Sequence, residues 1–330
     1  MAIIRWGIIG CGDVTEVKSG PGFQLARNSA LVAVMRRNAA LAEDYARRHG
    51  VPRWYADAAQ LIHDPEVDAV YVATPPSSHK EYVLACAAAG KPVYVEKPMA
   101  LDFAQCQEMI AACKTAGVPL FVAYYRRALP RFLKVKELVD RGAIGSIRFV
   151  TVLLQPSRPE DADPALLAWR VRPEISGGGR FVDMGVHTLD FLDYVLGPIA
   201  SAHGHAANRA GIYPAEDTVT ASFEFASGVP ASGAWCATAY GPADLAEIVG
   251  SEGKISFSSF DAEPITLTRA DGVTHFAIPN PPHIQQPLIQ TVVDDLLGLG
   301  HCPSTGETGA RTTWVVDQVL QDYRSAVAAG

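Results

Sequence analysis

Residues 3–15 read IIRWGIIGCGDVT: a short apolar run, then a glycine pair, then an acidic residue. The run is broken by Arg5 and followed at once by glycines and Asp13, so it predicts a strand rather than a signal peptide. Gly10 and Gly12 allow a tight turn with bare backbone after that strand. The amides that follow, with Asp13 and Val14, can face an anion such as a pyrophosphate. The third position of the G-x-G-x-x-G pattern falls on Thr15, a departure from glycine, and a bare G-x-G also fits an ordinary strand-to-loop turn.

Outward from this stretch, the first 123 residues alternate two periods. Short apolar runs recur at 31–35, 69–73, 92–95 and 119–123, as in parallel strands buried on both faces. Helical stretches lie between them at 39–49, 58–63, 77–89 and 103–116, with Asp57 and Asp102 as N-caps and Gly50, Gly90 and Gly117 as stops. Repeated βα units predict a doubly wound parallel sheet, a dinucleotide-binding Rossmann domain over 1–123. At the end of the second strand stand Arg36 and Arg37 with no carboxylate. Paired guanidinium donors suit a ribose 2′-phosphate, which points to NADP over NAD, with one arginine alternatively left to solvent.

After Tyr124 the character changes. A helix is predicted over 130–141 and a strand over 147–154. The charged, proline-rich QPSRPEDADP (155–164) reads as a surface loop. Gly177–Gly179 opens a helix carrying Asp183, His187 and Asp190. Strands are then predicted at 200–206, 218–225, 231–238, 245–250, 254–257, 265–269 and 273–278, separated by turns such as Ser227-Gly228 and Asp271-Gly272. Helices near 286–298 and 309–328 close the chain. The fold class is therefore α/β: a Rossmann domain, then a 124–330 domain with a large, mostly antiparallel open sheet. The last helix is a candidate to pack back on the first domain.

Composition excludes other classes. At 330 residues, about 150 per domain gives roughly two domains. With 48% hydrophobic and 19% charged residues the chain is not a disordered one, and a formal net charge of −7 disfavours a general nucleic-acid or anionic-membrane binder. No stretch of about 18 apolar residues predicts a membrane span. The six cysteines, at 11, 86, 106, 113, 236 and 302, form no C-x-x-C pair and fit a reducing cytosol.

Two further motifs carry polar chemistry. Glu96-Lys97-Pro98 ends a predicted parallel strand, where ligands of such folds bind; taken alone it reads equally as a surface turn. Thr74, Pro75 and His79 end a neighbouring strand beside the same cleft. Asp183 and His187, four apart on an apolar helix, share one face. Such a pair is a functional acid–base set, a satisfied core histidine, or half a metal site, and no H-E-x-x-H or matching ligand cluster accompanies it. No metal is expected.

With these residues in view, the chain resembles the glucose–fructose oxidoreductase / inositol dehydrogenase / MocA (Gfo/Idh/MocA) family. The matching pieces run in order: GIIGCGDV (7–14), ATPPSSH (73–79), AGKPVYVEKPMA (89–100), VAYYRR (122–127), IGSIRFV (144–150), WR (169–170), GGGRFVDMGVHTLDFLDYVLGPI (177–199) and GSEGKISF (250–257). The resemblance implies a nicotinamide cofactor and a second domain that supplies the substrate wall. It implies Lys97, Asp183 and His187 as the polar triad at the reactive carbon, with a cis Lys97–Pro98 bond. It further implies Trp169 and Arg170 reaching the cofactor, Thr74, Pro75 and His79 beneath the nicotinamide ribose, and Glu96 beside them. Tyr124 and Arg126 are expected on the substrate side.

The expected activity is NAD(P)-dependent hydride transfer to or from a sugar, cyclitol or related polyol. Rival readings are glycoside elimination and hydrolysis without net redox, reduction of a dihydrodiol or ketone, and a cofactor-sensing protein without catalysis. A cytosolic homodimer or homotetramer is expected, since a bare sheet face invites a second copy.

Overall fold

A computed structural model describes residues 2–156 and 168–329. Most of the proline-rich stretch expected as a surface loop, from 157 onward, lies outside the described residues. The chain divides into two compact units, Met1–Leu129 with Asn280–Ala310, and Pro130–Pro279 with Arg311–Gly330. A single break at 123 therefore does not describe the connectivity: a segment before the last helix returns to the first unit.

In the first unit, β1 (Ile4–Ile9) is followed by α1 (Asp13–Val17), α2 (Gly20–Leu25), β2 (Ser29–Met35), α3 (Ala39–His49), β3 (Arg53–Tyr55), α4 (Ala58–Ile62), β4 (Ala69–Val72), α5 (His79–Ala88), β5 (Val93–Val95), α6 (Phe103–Ala116) and β6 (Leu120–Val122). The strands are parallel, in the order β3-β2-β1-β4-β5-β6. Strand order reverses between β1 and β4, the switch point where such sheets bind ligands. β4, β5 and β6 are buried throughout, as continuous apolar runs require. Asn38, Asp57 and Asp102 cap α3, α4 and α6 through their side chains. Gly50 and Gly117 end α3 and α6 at φ 66° and 67°.

Two elements here escape the sequence pattern. β3 is the short, partly exposed run Arg53-Trp54-Tyr55 at the sheet edge, with no aliphatic residue to announce it. α2 begins Gly20-Pro21-Gly22, residues that ordinarily break helices.

The second unit begins with α7 (Pro130–Asp140), β7 (Ile147–Gln155), α8 (Pro173–Ser176) and α9 (Val186–Leu196). Then come β8 (Ile199–Ala207), β9 (Thr218–Phe225), β10 (Pro230–Cys236), β11 (Ala243–Gly250), β12 (Gly253–Phe257), β13 (Ile265–Arg269) and β14 (Gly272–Phe276); α10 (Gln286–Leu296) belongs to the first unit, and α11 (Gly306–Ala329) runs from its last residues into the second. The eight-stranded sheet runs β14-β13-β12-β11-β7-β10-β9-β8, antiparallel except for β7 with β10.

Alternation sorts its two faces. Val150, Val152 and Leu154 of β7 are buried, while Phe149 on the other face is 43% exposed. On the buried side Phe132 of α7, Phe191 of α9 and Phe257 of β12 meet edge to face. Gly204 lets α11 close onto β8, since a Cβ there would stand 2.6 Å from Val319 Cγ1. A single helix was expected from Gly177 onward. Instead a π-helical turn, Phe181–Gly185, precedes α9, so Asp183 lies on a widened turn and His187 on regular helix.

Candidate functional site

In the first unit, the ends of β1, β4 and β5 carry the predicted residues. Gly10, at φ 92°, follows β1 and donates its N–H to the Met35 carbonyl at 2.8 Å. A Cβ on Gly10 would press to 2.7 Å of Thr74 Cγ2, so the loops after β1 and β4 touch only because this residue is glycine. At Gly12 the space where a Cβ would stand is open, its nearest neighbour the Gly10 carbonyl oxygen at 3.9 Å. Asp13 is exposed and Val14 half-buried.

The missing third glycine has a local answer. Thr15 is fully buried, and its hydroxyl donates to the Gly12 carbonyl at 2.7 Å, bonding inside the turn. Its own carbonyl accepts from Tyr45 at 2.8 Å. Close packing against these groups falls to Gly20, whose added Cβ would collide with the Thr15 carbonyl and the Tyr45 hydroxyl. The sequence reading missed Gly20 because it lies five residues beyond the motif's third position.

Arg36 and Arg37 follow the last residue of β2 and are both exposed. Among the described residues neither is engaged by a carboxylate. Burial pushes the Cys11 thiol up to about 11, while the charge of Arg36 pulls it the other way. Positive-φ glycine, open backbone and two exposed guanidiniums fit a dinucleotide.

His79 is completely buried, its Nε2 2.7 Å from the Thr74 carbonyl oxygen and its Nδ1 3.0 Å from that of Pro98. It thereby braces the loop after β4 against the loop after β5, and burial lowers its pKa. Lys97–Pro98 is cis and Lys97 is half-buried.

Glu96 is buried beneath them. Its Oε1 accepts from Tyr71 at 2.5 Å and from Gln285 Nε2 at 2.6 Å, and its Oε2 accepts from the Lys97 N–H at 3.1 Å. Burial raises the Tyr71 and Tyr94 hydroxyls well above the usual tyrosine range, so both stay protonated donors. Tyr124 and Arg126, expected on the substrate side, are 1% and 2% exposed, and Arg126 lies 5.1 Å from the Tyr125 ring centroid.

In the second unit, Trp169 and Arg170 form a short 3-10 turn, the guanidinium 4.5 Å from the indole centroid. Arg170 Nε lies 3.6 Å and Arg180 Nη1 3.2 Å from the same Asp183 oxygen. Arg180, which the sequence reading did not single out, is only 7% exposed; its i,i+3 spacing from Asp183 was the available signal. His187 is 4% exposed, its ring set edge-on to Phe260. Two guanidiniums flank the Asp183 carboxyl and the His187 ring lies edge-on to Phe260, an arrangement suited to holding a hydroxyl and moving its proton. Asp190, the third polar residue of this stretch, faces Thr312 of α11 at 3.4 Å and is fully buried.

Comparison with known proteins agrees with this geometry. Residues 4–124 match the model of an oxidoreductase family with an NAD-binding Rossmann fold, and 132–256 match the GFO/IDH/MocA C-terminal domain. Oxidoreductase P35 of Formosa agariphila is 39% identical over 315 residues, 95% of this chain and 97% of that protein. A 1,5-anhydro-D-fructose reductase of Ensifer adhaerens is 29% identical over 314 residues, 92% of each. The WlbA dehydrogenase of Bordetella pertussis, solved with NADH and UDP-GlcNAcA, superposes with a TM-score of 0.84 at 26% identity, covering 98% of this chain and 96% of its own.

Proposed function

Since the chain belongs to the Gfo/Idh/MocA family of NAD-binding oxidoreductases, we propose that it transfers a hydride between nicotinamide C4 and a carbinol or carbonyl carbon of a sugar, cyclitol or related polyol. The observation that carries this reading is the junction in the first unit. Gly10, Thr74 and Lys97 lie in the loops that follow three adjacent strands, and His79 ties the last two loops together. The sugar-type substrate follows from the relatives, one acting on an anhydrofructose and another solved with a sugar nucleotide.

The nicotinamide, when bound, accepts or supplies the hydride. Gly10, Gly12, Asp13 and Val14 present backbone to its pyrophosphate, and Arg36 and Arg37 favour the 2′-phosphate of NADP. Thr74, Pro75 and His79 would support the nicotinamide ribose, Glu96 would orient Lys97, and Trp169 and Arg170 would contribute to holding the cofactor. In oxidation the hydroxyl proton passes to His187, whose imidazole can both accept and donate a proton, or to Lys97 as the alternative carrier. The Lys97 ammonium stabilises the developing alkoxide, and Asp183 holds a neighbouring hydroxyl. Tyr124 and Arg126 back the substrate wall from within. The enzyme works in the cytosol as a homodimer or homotetramer, the apolar Phe149 and Leu245 on the bare sheet face meeting a second copy.

The test is titration with NADP and NAD, then a panel of sugars, polyols and ketones scored by nicotinamide absorbance. Net hydride transfer with a polyol, lost in Lys97→Met and His187→Asn variants that still bind cofactor, is the expected result. Full turnover in both variants overturns the assignment. Turnover without net redox overturns it in favour of elimination chemistry.

A further inference from the structure

We propose that Glu216 is a positioning residue: its buried carboxyl clamps the Gly177–Gly179 turn and thereby sets the placement of Asp183. Three consecutive glycines are the most conformationally free junction a chain can build, yet here they precede the segment that must be held most firmly. The Gly179 N–H donates to Glu216 Oε1 at 2.7 Å, and the Gly179 carbonyl accepts from the Asp183 N–H at 3.1 Å. One residue thus links the carboxyl to the backbone of Asp183.

The same turn is gripped from other sides. Arg324 of α11 donates to the Gly177 carbonyl at 2.8 Å, and the Ser176 hydroxyl donates to the Gly178 carbonyl at 2.5 Å. The fit leaves no slack. A Cβ on Gly178 would stand 3.2 Å from both Glu216 carboxyl oxygens, and one on Gly179 would collide with the Glu216 carbonyl oxygen.

Glu216 is 2% exposed, just ahead of β9, and a carboxyl buried so deeply is costly where packing alone needs only an apolar residue or an amide. The titratable and charged groups around it are Asp217 beside it in the chain and Tyr323 and Arg324 from α11. Arg324, whose charge acts on Glu216, is itself paired with Asp317 at 2.6 Å, and among the described residues no salt bridge joins Glu216 to a cation. Burial therefore pushes its carboxyl up to about 7, and the bond to Gly179 passes from neutral to charge-assisted as pH rises through the neutral range.

This role rests on Asp183 belonging to the proposed hydride-transfer site, and the test separates the two ideas. Glu216→Asp withdraws the carboxyl by one methylene, whereas Glu216→Gln keeps both reach and acceptor. Both are compared with the wild type and with Asp183→Asn in three measurements: kcat across pH, cofactor affinity by nicotinamide fluorescence, and the Gly179 amide resonance by NMR. Glu216→Asp is expected to lower kcat about tenfold or more with cofactor affinity held within about twofold, as misplacement of a reacting group does. Glu216→Gln should restore most of kcat and remove a titration near pH 7 from both the kcat profile and the Gly179 amide. Wild-type kcat in Glu216→Asp, or a Gly179 amide that titrates alike in wild type and Glu216→Gln, overturns the clamp. Wild-type turnover in Asp183→Asn overturns the proposed chemistry instead, and the Gly179 amide then decides whether the clamp exists.

Discussion

Gln285 donates to Glu96 at 2.6 Å across 189 positions of sequence, and so completes the support under Lys97 from a segment that returns late in the chain. Tyr94 donates to the same glutamine at 3.3 Å, and the Gln285 N–H reaches the Lys18 carbonyl at 3.1 Å. Removing the amide leaves a buried carboxyl short of one donor. Gln285→Leu is expected to destabilise the protein by about 1–3 kcal/mol in denaturant unfolding. It should also lower kcat more than it raises KM, because Lys97 hangs from the same glutamate. An unchanged midpoint with unchanged kcat would show the contact to be incidental.

Arg36 and Arg37 bear on cofactor choice. Each charge-assisted bond to a phosphate is worth about 1.5–3 kcal/mol, so Arg36→Ser or Arg37→Ser should weaken NADP binding by about tenfold or more. NAD, which lacks the 2′-phosphate, should lose less than about twofold. Equal losses for both cofactors in calorimetric titration would remove the argument for NADP.

Gly10→Ala probes the glycine turn. At φ 92° an L side chain is strained by roughly 1–2 kcal/mol, and its methyl would press to 2.7 Å of Thr74. A lower Tm and a loss of dinucleotide affinity of about tenfold or more are expected together. Full affinity in a folded Gly10→Ala protein would place the cofactor elsewhere.

Two carboxyls give opposite pH dependences. Glu16 is held down to about 2, chiefly by its hydrogen bond from Arg48 and further by His49, so its contribution is present above the usual 4.5 and is lost as pH falls toward 2. Glu216 is raised to about 7, so its contribution is complete below 4.5 and is lost as pH rises through 7. Melting curves across pH should show Glu16→Gln flattening the acid limb. Above pH 7, Glu216→Gln should be more stable than the wild type by up to about 3 kcal/mol, a gap that closes below pH 4.5. A Glu216→Gln variant that melts with the wild type at every pH would contradict the raised pKa.

Local patterns made most of the fold legible. Apolar runs of four to seven residues announce β1, β2 and β4, and turn pairs such as Asp271-Gly272 delimit the hairpins of the large sheet. β3 was hidden because Arg53-Trp54-Tyr55 has no apolar periodicity of its own and pairs only at an edge. The π turn was hidden because a widened turn leaves no mark in residue spacing. Lys97, Asp183 and His187 stand in motifs and could be named at once. Arg180 was within reach through its i,i+3 spacing from Asp183, but Gln285 and Glu216 were not, because each matters through a partner 189 or 37 residues away.

The excursion of Asn280–Ala310 into the first unit has a consequence for biosynthesis. A ribosome exposes the first 129 residues long before it has translated the stretch holding Gln285, so the nucleotide-binding half waits, with Glu96 lacking its amide donor, until that later segment has emerged. Excising that half at its apparent end would produce a fragment missing part of its own interior. Anyone seeking an autonomous dinucleotide module from this enzyme must splice two stretches of gene together.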